Sequence, residues 1–253
     1  MTYNVHSCVG TDGLRSTARI AEAIAESHAD IVALQELDHR RPRSNHIHQA
    51  QAIADELAMQ FHFAPALRVA DEEYGDAVLS RHPLKIECAE ALPTPGIGWG
   101  VETRGALWVS IEIEGIRWQV LNTHFGLGRT ERLVQAEALL GSAWLGRAAP
   151  HPPVVVCGDF NSQAGGRVQR LLAAQLRDVQ GSRHGNTFPS RFPLLCLDYI
   201  FVGEGVVVQR AEIPRTKLTR IASDHLPLLS ALAFSHITAT ARVDAAPLPA
   251  AAG

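Results

Sequence analysis

Residues 154–161 read Val-Val-Val-Cys-Gly-Asp-Phe-Asn, an apolar run that stops at a glycine and continues directly into an acid and an amide. Four apolar residues in succession are typical of a buried strand, and Gly158 permits a sharp turn at its end. Asp159 and Asn161 are two residues apart, so both side chains can face one pocket. Together they could hold a water molecule, a phosphate oxygen or a hard cation. An Asx turn that closes the strand would explain the pair as well.

The composition of the 253-residue chain is that of a globular protein, with 46% hydrophobic and 19% charged residues. Its length suits one or two domains. The net charge of −3 argues against broad, salt-dependent binding to duplex nucleic acid. No apolar run is long enough for a transmembrane helix, and polar residues interrupt the start of the chain too early for a signal peptide. The four scattered cysteines predict reduced thiols in a cytoplasmic protein and no thiolate zinc site.

Short apolar runs predict more strands than helices. Helices are predicted at residues 13–27, 47–57, 130–145 and 168–176, and strands at residues 1–5, 31–34, 61–63, 77–80, 106–113, 117–121, 154–157, 197–202, 206–208 and 226–229. The first strand is short for a central strand, so we expect either that the recorded start trims part of it or that it is an edge strand. Glu114-Gly115 predicts a hairpin turn. Hairpins alternate with helical crossovers, which favours an α+β fold of the layered α/β/β/α class. We predict one domain at residues 1–234, with a long surface loop at residues 93–100, and a disordered Ala- and Pro-rich tail at residues 235–253.

Polar side chains occur at the ends of the predicted strands or inside them. The set comprises Asn4, Glu36, His124, Asp159, Asn161, Asp198, Asp224 and His225. Burying a carboxylate costs free energy unless it is paired or bound to a cation, so a shared site accounts for this many polar groups better than separate structural roles do. Acids and amides without cysteine suit Mg²⁺ or Mn²⁺ better than zinc. The histidines could hydrogen-bond a phosphate oxygen or transfer a proton near neutral pH.

Six short motifs follow one another in a fixed order. They are Thr2-Tyr3-Asn4-Val5, Gln35-Glu36, Asn122-Thr123-His124, Gly158-Asp159-Phe160-Asn161, Leu197-Asp198-Tyr199-Ile200 and Ser223-Asp224-His225. In this order the chain resembles the endonuclease/exonuclease/phosphatase superfamily, which includes pancreatic-type deoxyribonuclease, abasic-site endonucleases, neutral sphingomyelinases and inositol polyphosphate 5-phosphatases. The resemblance extends from residue 2 to about residue 230. It implies two mixed β-sheets packed face to face, with helices on both outer sides.

The resemblance also implies a site for Mg²⁺ or Mn²⁺. Glu36 resembles the family's main metal ligand, with Asn4 and Asp224 beside it. Asp159 resembles the residue that orients or deprotonates the attacking water, and it is assigned to the metal site as well. Asn161 would hold that water or the phosphate.

Two histidine–carboxylate pairs are implied in the same way. His225 would contact a non-bridging phosphate oxygen and would be oriented by Asp224. His124 would lie across the phosphate, with Asp198 as its partner carboxylate. Arg104 matches a family position near the phosphate, although a surface arginine before a strand would give the same pattern.

One position departs from the family pattern. Many relatives have Gly-Asn before the strand at residues 77–80, whereas this chain has Gly75-Asp76. An additional acid near the site would either bind a cation or repel an anionic substrate. We expect Asp76 to be peripheral to the site.

The sequence therefore predicts a metal-dependent hydrolase of phosphate esters, in the first place a phosphodiesterase in which water attacks phosphorus in line. We expect a compact substrate, such as a lipid headgroup, a nucleotide or a nucleic acid end, because no long basic insertion for strong duplex DNA binding is present. One alternative is a nuclease that acts on single-stranded or abasic DNA or RNA. Another is a non-catalytic phosphate-binding module, although such a module would have lost the Asp, Asn and His set that this chain retains. We expect a monomer.

Overall fold

The computed structural model describes residues 1–95 and 102–235. Its strands are β1 (Thr2–Asn4), β2 (Ile31–His39), β3 (Gln60–Val69), β4 (Glu72–Ser80), β5 (Leu84–Ala91), β6 (Gly105–Ile113), β7 (Ile116–His124), β8 (Val154–Asp159), β9 (Arg177–Asp178), β10 (Asp198–Val202), β11 (Val206–Glu212) and β12 (Leu229–Phe234). Its α-helices are α1 (Thr17–Ser27), α2 (Gln49–Leu57), α3 (Arg129–Leu140), α4 (Leu145–Ala148), α5 (Arg167–Ala173) and α6 (Lys217–Ala222). Within these ranges, no helix is long and apolar enough to cross a lipid bilayer.

Two mixed sheets form the body of the fold. The first has the strand order β1-β2-β4-β3, with β1 and β2 parallel and the other pairs antiparallel. The second has the order β5-β6-β7-β8-β10-β9, in which β7 and β8 are parallel. The short strand β1 lies at the edge of its sheet, which is one of the two alternatives given for it. A β-bridge between Thr2 and Leu228 leads from this edge to the antiparallel pair β11 and β12.

Side chains on the two faces of each strand enter different layers of the core. In β8, Val154 and Val156 pack against the helices, whereas Val155 and Cys157 pack against the other sheet. Because both faces of this strand are buried, its sequence is an unbroken apolar run.

The helices cover the outer face of each sheet. Side chains of α1 and α2 pack on the first sheet, and side chains of α3, α4 and α5 pack on the second. A third apolar cluster, with Val78 and Leu107 among its members, fills the space between the sheets. The fold is therefore the predicted α+β sandwich of four layers, helix, sheet, sheet and helix.

A buried amide pair connects the two sheets. Gln35 of the first sheet donates from Nε2 to Oδ1 of Asn122 in the second, at 2.7 Å. Asn122 donates back from Nδ2 to the carbonyl oxygens of Leu34 and Ala77, both at 2.9 Å. Both amide side chains are fully buried, so these bonds are costly to break and they fix how the sheets are aligned.

Several boundaries differ from the prediction. The helix predicted at residues 130–145 ends at Leu140, because Gly141 adopts an extended conformation, and α4 follows separately. Strand β5 and helix α6 were not predicted, and the last strand begins at Leu229 instead of residue 226. Most of the predicted loop at residues 93–100, and the predicted tail apart from Ser235, lie outside the described residues.

Candidate active site

Strand ends from both sheets meet at one edge of the sandwich. In the second sheet, Asp159 at the end of β8 pairs in register with His124 at the end of β7 and with Asp198 at the start of β10. In the first sheet, β1 ends at Asn4, which pairs with Gln35 next to Glu36. Four of the predicted polar residues are thus positioned by strand pairing, and Glu36 follows directly after a paired residue.

Gly158 allows β7 and β8 to approach closely just before Asp159. Its φ angle is +143°, a conformation that other residues rarely adopt. A Cβ atom at this position would lie 1.8 Å from the carbonyl oxygen of Thr123. The glycine is therefore required for the strand pairing that positions Asp159 beside His124.

Glu36 reaches the site through an irregularity in β2. The pairing with β4 shifts between Leu34 and Leu37, and Glu36 has a φ angle of +64°. A residue with a side chain in this left-handed region costs roughly 1–2 kcal/mol. Its Oε1 accepts a hydrogen bond from Asn4 Nδ2 at 2.9 Å. Backbone strain of this kind is often found where a side chain must be directed into a functional site.

Asp159 is enclosed by donors. Its side chain is 1% exposed; Oδ1 accepts from the backbone N–H of Asn161 at 2.8 Å, and Oδ2 accepts from Asn4 Nδ2 at 3.0 Å. The Nε2 atoms of His124 and His225 lie 3.5 Å and 3.7 Å from the same Oδ2. Burial, and then repulsion from Asp198, raise the pKa of Asp159 above its ordinary value. The carboxylate is thus held in one orientation with an increased affinity for a proton.

The partner of His225 is Asp198. His225 Nδ1 lies 2.8 Å from Asp198 Oδ2, and both side chains are buried. The predicted pairing of His124 with Asp198, and of His225 with Asp224, was therefore wrong. Burial alone would lower the pKa of His225, but the carboxylates of Asp198 and Asp159 outweigh it and raise that pKa to about 10. His225 is consequently an imidazolium at neutral pH, with Nε2 directed toward Asp159.

Asp224 lies at the edge of the pocket instead. Its side chain is 35% exposed, and Oδ1 lies 3.7 Å from Nδ1 of His6. Ser223 donates from Oγ to the carbonyl oxygen of Asn4 at 2.8 Å, which connects this segment to β1. The carboxylate of Asp224 therefore lines the pocket without being the hydrogen-bond partner of His225.

His124 is surrounded by donors. Arg104 NH1 lies 2.9 Å from His124 Nδ1, and Arg104 NH2 pairs with Glu102 at 2.9 Å. Asn161 Nδ2 lies 3.1 Å from His124 Nε2 and also donates to the carbonyl oxygen of Phe125. A guanidinium can only donate, so Nδ1 is the acceptor and Nε2 carries the hydrogen. Burial, and then the charges of Arg104 and His225, lower the pKa of His124 well below its ordinary value, so this imidazole is neutral.

The carboxylates in the pocket fit a hard divalent cation. Glu36, Asp159 and Asp224 all line it, and oxygen ligands of this kind suit Mg²⁺ or Mn²⁺. Asp159 is buried near the carboxylate of Asp198, and both effects disfavour its ionised form. A bound cation would stabilise that ionised form. Asn4 turns its N–H group toward the carboxylates while its Oδ1 accepts from the His6 backbone. In this arrangement Asn4 positions the carboxylates of Glu36 and Asp159, and its role as a metal ligand stays a prediction.

Among the described residues, the carboxylate and histidine groups whose ligand atoms all lie within 4.8 Å of one another are Asp159, Asp198 and His225. Two of these three already form the 2.8 Å pair of Asp198 and His225. A cation bound among all three would have to displace the proton that this pair shares. A cation held by Glu36, Asp159 and Asp224 would leave this pair intact, but the ligand atoms of these three carboxylates do not all lie within 4.8 Å of one another.

The cavity of about 790 Å³ around these groups contains residues that the sequence analysis missed. Asn4 and Asp198 lie behind its surface, whereas the other predicted site residues line it. Arg129, Arg132 and Arg167 also line it. Arg129 and Arg132 lie in the first turn of α3, which follows the motif that ends at His124. Arg167 begins α5, which follows the motif that ends at Asn161. This position after a motif is the signal that could have identified the three arginines.

Asp76 lies outside this cavity and lines a separate one with Ala64 and Gly105. It is 4% exposed. Burial raises its pKa to about 8, although Arg104 and the Glu36 backbone N–H act in the opposite direction. Its position is peripheral, as expected.

Comparison with known proteins gives matches over nearly the whole chain. The Endonuclease/Exonuclease/phosphatase family profile matches residues 1–225. The chain is 28% identical over 245 residues to the Uncharacterized protein YbhP of Escherichia coli (strain K12), which covers 90% of this chain and 93% of that protein.

Solved structures agree with the fold. An endonuclease/exonuclease/phosphatase from Beutenbergia cavernae DSM 12333 superposes with a TM-score of 0.74 at 23% identity, covering 92% of this chain and 70% of that one. A mannosyl-6-phosphatase from Bacteroides thetaiotaomicron VPI-5482 superposes with a TM-score of 0.72 at 19% identity, covering 92% of this chain and 98% of that one. At these identities the likeness shows the fold alone.

Proposed function

Because this chain belongs to the endonuclease/exonuclease/phosphatase family, whose members are phosphoesterases, we propose that it is a metal-dependent phosphodiesterase that acts by in-line attack of an activated water. The observation that carries the proposal is the surroundings of Asp159 Oδ2. This oxygen accepts from Asn4 and faces the Nε2 atoms of two histidines at 3.5 Å and 3.7 Å. A base, an imidazolium and a neutral imidazole thus converge on one small volume.

Asp159 serves as the base. Hydrogen bonds to both of its oxygens hold it in place, and its raised pKa brings its proton affinity closer to neutral pH. It orients the attacking water and accepts its proton, while Asn161 provides an amide group for the same water or for a phosphoryl oxygen.

His225 stabilises the phosphoryl group. Asp198 holds its Nδ1–H, so Nε2–H is free to donate to a non-bridging oxygen on which charge develops. The charge of this imidazolium is maintained at neutral pH by Asp198 and Asp159.

His124 acts as a neutral donor. Arg104 occupies its Nδ1, which leaves Nε2–H directed into the pocket. The 3.1 Å contact between Nε2 and the Asn161 amide is donor against donor. A phosphoryl oxygen between them would accept from both groups, which makes this a favourable position for the substrate.

The proposed cofactor is Mg²⁺ or Mn²⁺, held by Glu36, Asp159 and Asp224. When bound, the cation would stabilise negative charge on the phosphoryl and leaving oxygens. We propose a compact substrate for the cavity of about 790 Å³, since cavities of this size commonly hold small molecules.

The test compares hydrolysis of bis(p-nitrophenyl) phosphate with that of p-nitrophenyl phosphate, in Mg²⁺, in Mn²⁺ and in EDTA. We expect diester cleavage that EDTA abolishes and that falls at least about 100-fold in Asp159→Asn. Asp71→Asn, a change of the same kind at an exposed position, is the control.

Binding of Mg²⁺ by calorimetry gives a readout that does not depend on turnover. We expect Glu36→Ala to weaken this binding, and unchanged binding would remove Glu36 from the metal site. Preference for the monoester would make the protein a phosphatase, and salt-sensitive cleavage of oligonucleotides would make it a nuclease. Phosphate binding without turnover of any ester would instead leave a non-catalytic module.

A further inference from the structure

We propose that the cavity contains a second anion subsite, formed by Arg129, Arg132 and Arg167, and that the substrate carries a second phosphate group besides the one that reacts. This inference rests on the proposed function and specifies its substrate. The three residues are called the arginine subsite below.

The arginine subsite belongs to the same cavity as the reacting groups. Arg129 and Arg132 lie in the first turn of α3, and Arg167 is the first residue of α5. The two helices pack against each other beside the ends of β7 and β8. All three arginines line the cavity together with Asp159 and His225, so one compact molecule can reach both groups.

The arginines of the subsite lack carboxylate partners. Arg129 and Arg167 make no hydrogen bond or ion pair with any described residue, and Arg132 donates to the carbonyl oxygen of Leu127 at 2.8 Å. In contrast, Arg43 pairs with Asp38 and Arg104 pairs with Glu102, each at 2.9 Å or less. Burial, and then repulsion from Arg129, lower the pKa of Arg132. An anion placed among the three would remove this repulsion.

Guanidinium groups favour phosphate chemistry. Their planar donors match the oxygens of a phosphate in pairs, which makes them stronger and more directional anion ligands than lysine. Arg104 is already engaged by Glu102 and His124. The guanidinium groups of the arginine subsite form no ion pair with a described residue, so they can bind a second anionic group.

The cavity also provides contacts for the framework that joins the two phosphates. Leu127, Leu133 and Val168 line it, and they offer apolar surface to a sugar or similar scaffold. A cavity of about 790 Å³ fits a small bisphosphate. These features favour a compact molecule with two phosphates.

Two pairs of ligands test the inference by calorimetry in EDTA, which removes the proposed cation and separates binding from metal-dependent turnover. Thymidine 3′,5′-bisphosphate is compared with thymidine 5′-monophosphate, and fructose 1,6-bisphosphate with fructose 6-phosphate. We expect the bisphosphate to bind at least about 10-fold more tightly in one or both pairs, as charge-assisted hydrogen bonds to one phosphate would produce. An advantage in one pair alone identifies the scaffold, a nucleoside or a sugar.

Variants then locate the source of the advantage. We expect it to be lost in Arg129→Gln/Arg167→Gln, which changes two exposed side chains, and in the triple variant with Arg132→Gln. Arg117→Gln is the matched control, because Arg117 is exposed at the opposite end of β7 from His124. The advantage should persist there.

Two results would overturn the subsite: equal affinities within both ligand pairs for the wild type, or an advantage that the triple variant keeps. Hydrolysis of bis(p-nitrophenyl) phosphate by the wild type separates this failure from that of the proposed function, since this ester has no second anionic group. Turnover of that ester without a bisphosphate advantage rejects the subsite alone. A bisphosphate advantage without turnover of any ester rejects the proposed activity and leaves the subsite standing.

Discussion

Replacing Asp198 with asparagine would test how the site generates its imidazolium. The carboxylate of Asp198 lies 2.8 Å from His225 Nδ1 and does not line the cavity. Asp198→Asn keeps the size of the side chain and an oxygen acceptor, but it removes the negative charge. Because Asp198 and Asp159 together hold the pKa of His225 at about 10, the variant should lose part of that elevation.

The magnitude follows from the buried charged hydrogen bond. Such a bond contributes about 1.5–3 kcal/mol. If that contribution is lost where charge develops on the phosphoryl oxygens, kcat falls by about 10- to 150-fold at pH 7, at about 1.4 kcal/mol for each factor of ten.

The assay is the rate of bis(p-nitrophenyl) phosphate hydrolysis between pH 5 and pH 10 at saturating Mg²⁺. A histidine that acts when protonated gives a rate that declines as pH rises through its pKa. The rate should fall to half near pH 10 in the wild type and at lower pH in Asp198→Asn. The same raised pKa stabilises the folded state fully below about pH 6.5, and this contribution is lost between pH 6.5 and pH 10.

Asp178→Asn provides the control. Asp178 is buried, and its Oδ2 lies 3.0 Å from His184 Nε2, but the pair lies outside the cavity. This variant should lose stability without a change in kcat. A full rate with an unshifted pH profile in Asp198→Asn would refute the role of the His225 imidazolium, and equal losses of kcat in both variants would attribute the effect to stability.

Three further perturbations have defined outcomes. Gly158→Ala should lower the free energy of unfolding, measured in urea, by about 3–5 kcal/mol, because the new side chain is strained and clashes with Thr123. Gly165→Ala is the comparison, because its side chain would meet open space at a φ angle of +71°. It should lower the free energy of unfolding by less than half as much. Burial, and then His39, lower the pKa of His48 to about 4, so the folded state loses stability as the pH falls from 6.5 to 4. His48→Asn should reduce this loss by on the order of 1 kcal/mol, since the group is half-exposed. An unchanged dependence of the unfolding free energy on pH in this range would contradict the explanation. Burial raises the pKa of the Asp76 carboxyl to about 8, so ionisation of this group at higher pH destabilises the folded state. Asp76→Asn should therefore stabilise the fold by about one to a few kcal/mol at pH 9 but little at pH 4. Equal effects at both pH values would count against this explanation.

The local parts of the site could be predicted from the sequence. The run before Gly158 is apolar on both faces, so its strand and the turn after it were evident. The Asx-turn interpretation of Asp159 and Asn161 is confirmed, and the functional one stays a prediction for two residues that line the cavity. Asp159 Oδ1 accepts the N–H of Asn161, as in an Asx turn, whereas Oδ2 faces the cavity.

The pairing of side chains across the fold could not be predicted in the same way. Asp198 and His225 are far apart along the chain, and they meet because β10 and the segment before Leu228 converge on one edge. The alternative partner, Asp224, is the sequence neighbour of His225, and proximity along the chain favoured it. Only the arrangement of the strands decides between the two.

Exposed elements were missed for a related reason. Strand β5 leaves most of its residues partly or fully exposed, so the apolar alternation that identifies a strand is weak there. Arg129, Arg132 and Arg167 occur at the starts of helices, where charged residues are common in any protein. Their shared cavity arises from the packing of α3 against α5, which no single segment encodes.

The amide pair formed by Gln35 and Asn122 has a consequence for how proteins of this shape can diversify. Glu36 is carried by one sheet, and His124, Asp159 and Asp198 by the other, so a slip of one residue between the sheets would separate them by about 3.3 Å. The two amides hold that alignment from inside the sandwich, far from the arginines at the rim. Residues at the rim of the cavity can therefore change without altering the alignment of the two sheets that brings Glu36 to Asp159.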